Sequence, residues 1–290
     1  MASRSRSHAR AAPRRRRKRL RRSGWIATVR RRIESVRRTV PRVRFAMRAA
    51  PPSVRVLVGT VALLTIWASA NWVYQAVHKP TEVFFPADHA LTKTPIETWR
   101  QYGPLFSEYS TAVITPEFLA SLAQVEGGGN PVARTYWRWS LALNPFELYQ
   151  PASSSVGMYQ ITDATFHKAK RYCIHDHVVV EDGPWNYVGS CWFNILYTRV
   201  VPSHAIELTS AFLDRSVVGV MKRQRIAATL QQKQDLAAVI HLCGAGAGEV
   251  YARRGFRLTS RQRCGDHDVH DYLAKVNAMK RQFARLMTTY

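Results

Sequence analysis

The stretch "TPEFLASLAQVEGGGNPVA", Thr115 to Ala133, joins one acid to a run of apolar residues. Leu119, Leu122 and Ala123 precede Glu126 by seven, four and three residues, so in a helix all four share a face. An apolar face packs inward, and a carboxyl carried on it is partly desolvated, which disfavours its charged form. The last turn of a helix adds to this, because the macrodipole is negative there. A carboxyl that keeps its proton is what general-acid catalysis near neutral pH uses. Gly127, Gly128 and Gly129 end the helix, and the expectation is open space above the carboxyl, where a bulky ligand approaches. The structural alternative is a salt-bridged glutamate at a helix end.

A second motif, "ASSSVGMYQITDATF", spans Ala152 to Phe166. Together with "EGGGNPVA" it resembles the lytic transglycosylases of the soluble-type, goose-lysozyme-like family. The family pattern is a glutamate followed by Ser, small residues and Asn-Pro-x-Ala, then Gly-Leu-Met-Gln before a helix opening with Pro-x-Thr. Here it reads Glu126-Gly-Gly-Gly-Asn130-Pro131-Val-Ala133, then Gly157-Met158-Tyr159-Gln160-Ile-Thr162-Asp163-Ala164-Thr165. A third element, an Ala-Tyr-Asn-x-Gly-x-Gly turn after a helix, is similar to "VIHLCGAGAGEV", Val239 to Val250. The resemblance covers roughly residues 109–260. The chain departs from the pattern at Gly127 (usually serine), at Met158-Tyr159 (usually Leu-Met) and at His241-Leu242 (usually Tyr-Asn). A longer insert separates Ala133 from Gly157, and its Tyr136, Trp137 and Trp139 suit either a sugar-stacking platform or buried packing.

The resemblance implies a lysozyme-like helical domain that cleaves the bond between N-acetylmuramic acid and N-acetylglucosamine in peptidoglycan glycan strands. Glu126 would be the single acid/base and the product a 1,6-anhydro-muramyl end, formed without a water, metal or cofactor. Gln160 would orient the glycan through its amide. Met158 and Tyr159 would line the cleft, and His241 stands where the family has a substrate-contacting tyrosine. A hydrolytic muramidase is the rival within the enzyme class, and wants a second carboxylate to hold water. Asp163, Glu147, Glu181 and Asp182 are candidates by position. A non-catalytic glycan-binding or assembly protein of a cell-envelope machine, with other envelope proteins as partners, is the rival outside it.

The elements that must position these residues read as helices. Thr115 and Pro116 open one as N-cap and first helical residue, and Thr162 caps another expected over 163–173. Long helical patterns cover 203–223, 225–243 and 267–287, the last with Val269, Tyr272, Leu273, Val276, Met279, Phe283 and Leu286 on one face. No span alternates convincingly as a core strand, so residues 109–290 read as one mainly α domain. Residues 78–108, mixed and punctuated by proline, read as a connector.

Upstream, residues 1–55 carry 20 Lys/Arg against the single acid Glu34, while the other 235 residues have a net charge of only +5. The basicity therefore belongs to the tail, whose first 24 residues read as disordered. Ile26, Val29, Ile33, Val36 and Val40 then make an apolar stripe on a cationic helix, suited to an anionic inner leaflet. No basic-and-aromatic fold signature points to nucleic acid. Val56–Val77 follows, 22 residues without formal charge and with Trp67, Trp72 and Tyr74 toward its end. That is a transmembrane signal-anchor, basic side in the cytoplasm, which places the helical domain in the periplasm of a bacterial inner membrane. Ala68-Ser-Ala70 offers cleavage as the alternative, at an unusual distance from the start. All four cysteines lie beyond the span. Sequence order favours Cys173–Cys191 and Cys243–Cys264 as disulfides, and "CIHDH" and "CGDHDVH" lack a regular zinc spacing.

Overall fold

The computed structural model describes residues 45, 48–87, 89–184, 187 and 189–288. The expected stripe over Ile26–Val40, and with it nearly all of the basic tail, lies outside the described residues. The chain divides into two compact units, one ending at Ala68 and one beginning at Ser69.

Helix α1, Pro52–His78, runs for 27 residues, about 40 Å at the usual rise per residue. It is long and apolar enough to cross a membrane. Over its first 17 residues, which belong to the first unit, Val56, Leu57, Leu63, Leu64 and Ile66 are all more than half exposed. A helix apolar on every side, with these side chains exposed among the described residues, suits hydrocarbon, not water.

The second unit is mainly helical. Short 3₁₀ segments at Pro80–Ala87 and His89–Leu91 lead into α2, Pro95–Glu108. Thr94 and Glu97 form a capping box at its start, and its Tyr102 and Phe106 are buried in the main core. The connector expected over 78–108 is therefore corrected. Its second half is a core helix, and Glu82 in its first half is fully buried.

Helix α3, Pro116–Gly127, starts where Thr115 and Pro116 predict, although Thr115 donates its hydroxyl to Glu117 instead of capping. Phe118 to Ala123 are buried without a break, so α3 is surrounded and not merely backed on one face. Helices α2 and α8 (Val269–Met287) pack against it, and α5 (Pro202–Gln224), α6 (Leu230–Cys243) and α7 (Ala245–Arg253) contribute to the same core. The short α4, Asp163–Ala169, is capped by Thr162 as expected but ends four residues early, because Tyr172 and Cys173 enter a strand. Helix α6 likewise starts five residues later than its pattern, at a capping box of Thr229 and Gln232.

Among the described residues, six short strands form three separate antiparallel hairpins: β1–β2 (Trp137–Trp139 with Tyr149–Pro151), β3–β4 (Tyr172–His175 with Val178–Glu181) and β5–β6 (Arg263–Cys264 with His267–Asp268). None belongs to a core sheet, which is why no strand pattern stands out in the sequence. The cysteines pair as favoured, Cys173 with Cys191 and Cys243 with Cys264, at Cα separations of 5.4 and 5.5 Å.

Glu207 on α5 is buried where β3 meets that helix. It accepts from Ile174 N (3.0 Å) and from the Tyr197 hydroxyl (2.7 Å). Burial pushes its carboxyl above the ordinary value of 4.5, and those two hydrogen bonds oppose the shift. A raised native value means that this group's contribution is full below 4.5 and is lost as pH rises through the native value. Glu207→Gln removes that loss. The melting temperature of the variant minus that of the wild type should therefore climb with pH from the ordinary carboxylate range upward, in a series of thermal melts.

Candidate active site

Glu126 lies in the last turn of α3, one turn beyond the buried run. Gly128 closes the helix in the left-handed conformation at φ 57°, with Gly129 following at φ 65°. Gly129 N donates back to Ala123 O (3.1 Å) and Gly128 N to Gln124 O (3.1 Å), satisfying the last carbonyls. The expected open space above the carboxyl is corrected. A Cβ on Gly127 would stand 2.7 Å from Met158 Cα, one on Gly128 2.9 Å from Thr92, and one on Gly129 2.1 Å from Thr98 Oγ1. The three glycines admit close protein neighbours. At position 127 a side chain would strike the Met158 backbone.

The contact of Gly127 with Met158 brings the two sequence motifs together. Gly157 N donates to Ala133 O (2.8 Å), and Asn130 Oδ1 accepts from Val132 N (2.9 Å) to hold the turn between them. Gln160, at φ 46°, donates its amide nitrogen to Ala133 O (3.1 Å) and Gly157 O (2.9 Å). Its amide nitrogen thus braces the loop. Met158 and Tyr159 do not line a cleft: both are fully buried, and burial pushes the Tyr159 phenol well above its ordinary range. A β-bridge between Val156 and Ile161 folds the loop so that both side chains enter the core.

Among the described residues, two side chains meet Glu126. The Tyr272 hydroxyl, from the first turn of α8, donates to Oε1 at 2.5 Å, and His241 Nε2, from the last turn of α6, stands 3.5 Å from the same oxygen. Burial first, and then the neighbouring carboxylate, push the Tyr272 phenol well above its ordinary range, so it stays protonated and donates. Glu126 and His241 keep 16% and 11% of their side-chain surface exposed.

Three helix ends thus converge, and a covalent tie holds two of them. Cys243 lies two residues after His241, and its partner Cys264 sits in the hairpin that leads directly into α8. Asp268 caps α8 by accepting from His270 N (2.8 Å) and Asp271 N (3.2 Å). Gly244, at φ 82°, turns α6 into α7, and Gly248 packs so closely on Ile240 that a Cβ would lie 2.4 Å from it. Tyr272 was not expected in the site: it reads as one more residue of an apolar stripe, and 146 residues separate it from Glu126.

The four candidate second carboxylates have their own partners. Asp163 pairs with Arg199 (2.6 Å), Glu181 and Asp182 with Arg171 (3.0 and 3.7 Å), and Glu147 accepts from Asn144 (3.0 Å). Neither group at bonding range of Glu126 is a carboxylate. In the insert, Tyr136 and Trp139 are 64% and 70% exposed, while Trp137 donates to the buried Glu82 (2.8 Å). Tyr136 reaches Asp266, in the β5–β6 turn, at 3.4 Å. A groove lined by Ile96, Trp99, Gly103 and Met287 involves none of the site side chains. Compared with known protein families, curated proteins and solved structures, the chain finds no match.

Gly127→Ala should cost about 1–3 kcal/mol, because the Met158 backbone has to move to admit the methyl group. Denaturant unfolding of wild type and variant measures it. An unchanged midpoint would mean that the two motifs are not in contact.

Proposed function

We propose that the protein is a membrane-anchored peptidoglycan lytic transglycosylase with a lysozyme-like catalytic domain, in which Glu126 is the single acid/base. The observation that carries this reading is the carboxyl at the end of a buried helix, met by a phenol donor and an imidazole. The motif resemblance supplies the substrate class. The long apolar α1 after a basic flank supplies the anchor, with the domain on the peptidoglycan side.

In this mechanism the protonated Glu126 gives its proton to the glycosidic oxygen as the bond to the muramyl C1 breaks. The substrate's acetamido oxygen supports the oxocarbenium-like C1. The resulting carboxylate, stabilised by the charge-assisted hydrogen bond from Tyr272, takes the proton of the muramyl 6-hydroxyl. That oxygen closes on C1 and gives the 1,6-anhydro product, with the carboxyl reprotonated. Tyr272 acts as a positioning residue through Oε1, and His241 flanks the same oxygen. Gln160 shapes the loop beside the acid, and neither Met158 nor Tyr159 offers the glycan a side chain.

The test is digestion of purified peptidoglycan by the full chain in detergent, followed by mass spectrometry of the soluble muropeptides. Anhydro-muramyl ends are expected, reduced about 10²- to 10⁴-fold in Glu126→Gln. Reducing ends would instead mean hydrolysis, and no release by a folded sample would mean a scaffold. Tyr272→Phe should lower kcat roughly ten- to a hundredfold with KM little changed, as loss of a hydrogen bond to a charged group predicts. A change confined to KM would remove Tyr272 from the chemistry.

A further inference from the structure

The β1–β2 loop departs from what a water-facing turn requires. Residues 139–146 read "WSLALNPF", with no charge. Leu141 and Leu143 are 107% and 106% exposed, so neither side chain is covered by the fold. Turns in water are built from polar residues, and two uncovered leucines beside an exposed tryptophan mark a surface meant for an apolar medium.

The hairpin is fastened to the last turns of α1. Lys79 Nζ donates to Ser153 O (3.0 Å) and Thr135 Oγ1 (3.2 Å) at the hairpin's base. One turn back along the helix, Gln75 donates to Phe146 O (2.7 Å), and two turns back Asn71 donates to Tyr149 O (2.7 Å). The Tyr74 ring stacks on Phe146 at 5.3 Å between centroids. Glu82 completes the joint, accepting from Trp137 and pairing with Lys79 and Arg134. The buried residues Asn71 and Gln75 are thus the polar face of an otherwise apolar helix end, whose Trp72, Val73 and Val77 remain exposed. An amide at that position is costly in lipid unless a partner satisfies it, and here the hairpin is the partner.

We propose that the 139–146 loop inserts into the outer interfacial layer of the same bilayer that α1 spans, with phospholipid as the occupant of its apolar tip. This rests on the membrane-spanning part of the proposed function. The argument is continuity: Gln75 is bonded to the loop at Phe146 and Asn71 to the adjoining strand at Tyr149, so the base of the loop shares the depth of the helix end. Trp139 supplies an interfacial aromatic, and the exposed Arg138 beside it faces anionic headgroups. The domain is then held to the membrane at two points, which confines Glu126 to glycan close to the membrane surface.

The test is nitroxide labelling of the full chain in vesicles of phosphatidylethanolamine and phosphatidylglycerol, using single variants Leu143→Cys, Leu64→Cys and Lys275→Cys. The four native cysteines are paired, so each added thiol is addressable. Collision with oxygen against a water-soluble nickel complex reads the surroundings. The label at Leu143 is expected to shift toward the lipid-like ratio of Leu64 and away from the watery one of Lys275. A watery label at Leu143 beside a lipid-like one at Leu64 overturns the insertion and leaves the span intact. A label at Leu143 shielded from both collision partners means a second copy or another protein covers the loop, which also overturns it. A watery label at Leu64 removes the span itself, and the insertion with it.

Discussion

The burial of α3 on every side is the constraint from which the site follows. Six consecutive residues, Phe118 to Ala123, leave no surface along the middle of the helix. A polar function can therefore appear only at its ends. At the N-terminal end, Gln234 of α6 donates to Val113 O and Thr115 Oγ1, and is itself met by Lys280 of α8. At the other end the first ionisable residue is Glu126. A carboxylate at such a place needs a donor of its own, and the neighbouring helices supply one in Tyr272.

The same end of α3 shows how a small residue organises a site without touching a ligand. Gly127 lets the Met158 backbone approach, and that approach fixes the loop carrying Gln160 against the turn at Asn130. The Cys243–Cys264 link does the corresponding work for the opposite wall, joining the end of α6 to the hairpin before α8. A cross-link of this kind restricts the unfolded chain and the relative travel of the two ends, and it survives in an oxidising compartment. His241 and Tyr272, on the two helix ends that this link joins, share one oxygen of Glu126.

Upstream of the helical core, a cluster of charges does what an apolar contact does elsewhere. Glu82, fully buried, is reached by Lys79, Arg134 and Trp137. Removing any one partner would leave a buried charge poorly compensated, so the segment after α1 is committed to the fold of the insert. What reads as a linker is a joint.

Local features of the sequence determined a good part of this. Proline after Thr115, glycine at 128 and the hydroxyl of Thr162 each act within a few residues of backbone, and the corresponding helix ends stand where they predict. Nearest-neighbour spacing favoured the right cysteine pairs for the same reason. Thr94-Pro-Ile-Glu97 carried an equally local signal, a capping box, that the mixed residues around it obscured. Tertiary structure alone decided the rest. A stripe position on α8 says that Tyr272 is buried, not what its hydroxyl reaches. A Gly-Met-Tyr-Gln run does not say which way its side chains turn, and three glycines look alike whether a ligand or a backbone fills the space beside them. Those outcomes depend on distances between segments far apart in the chain, and packing sets them only when every helix is in place.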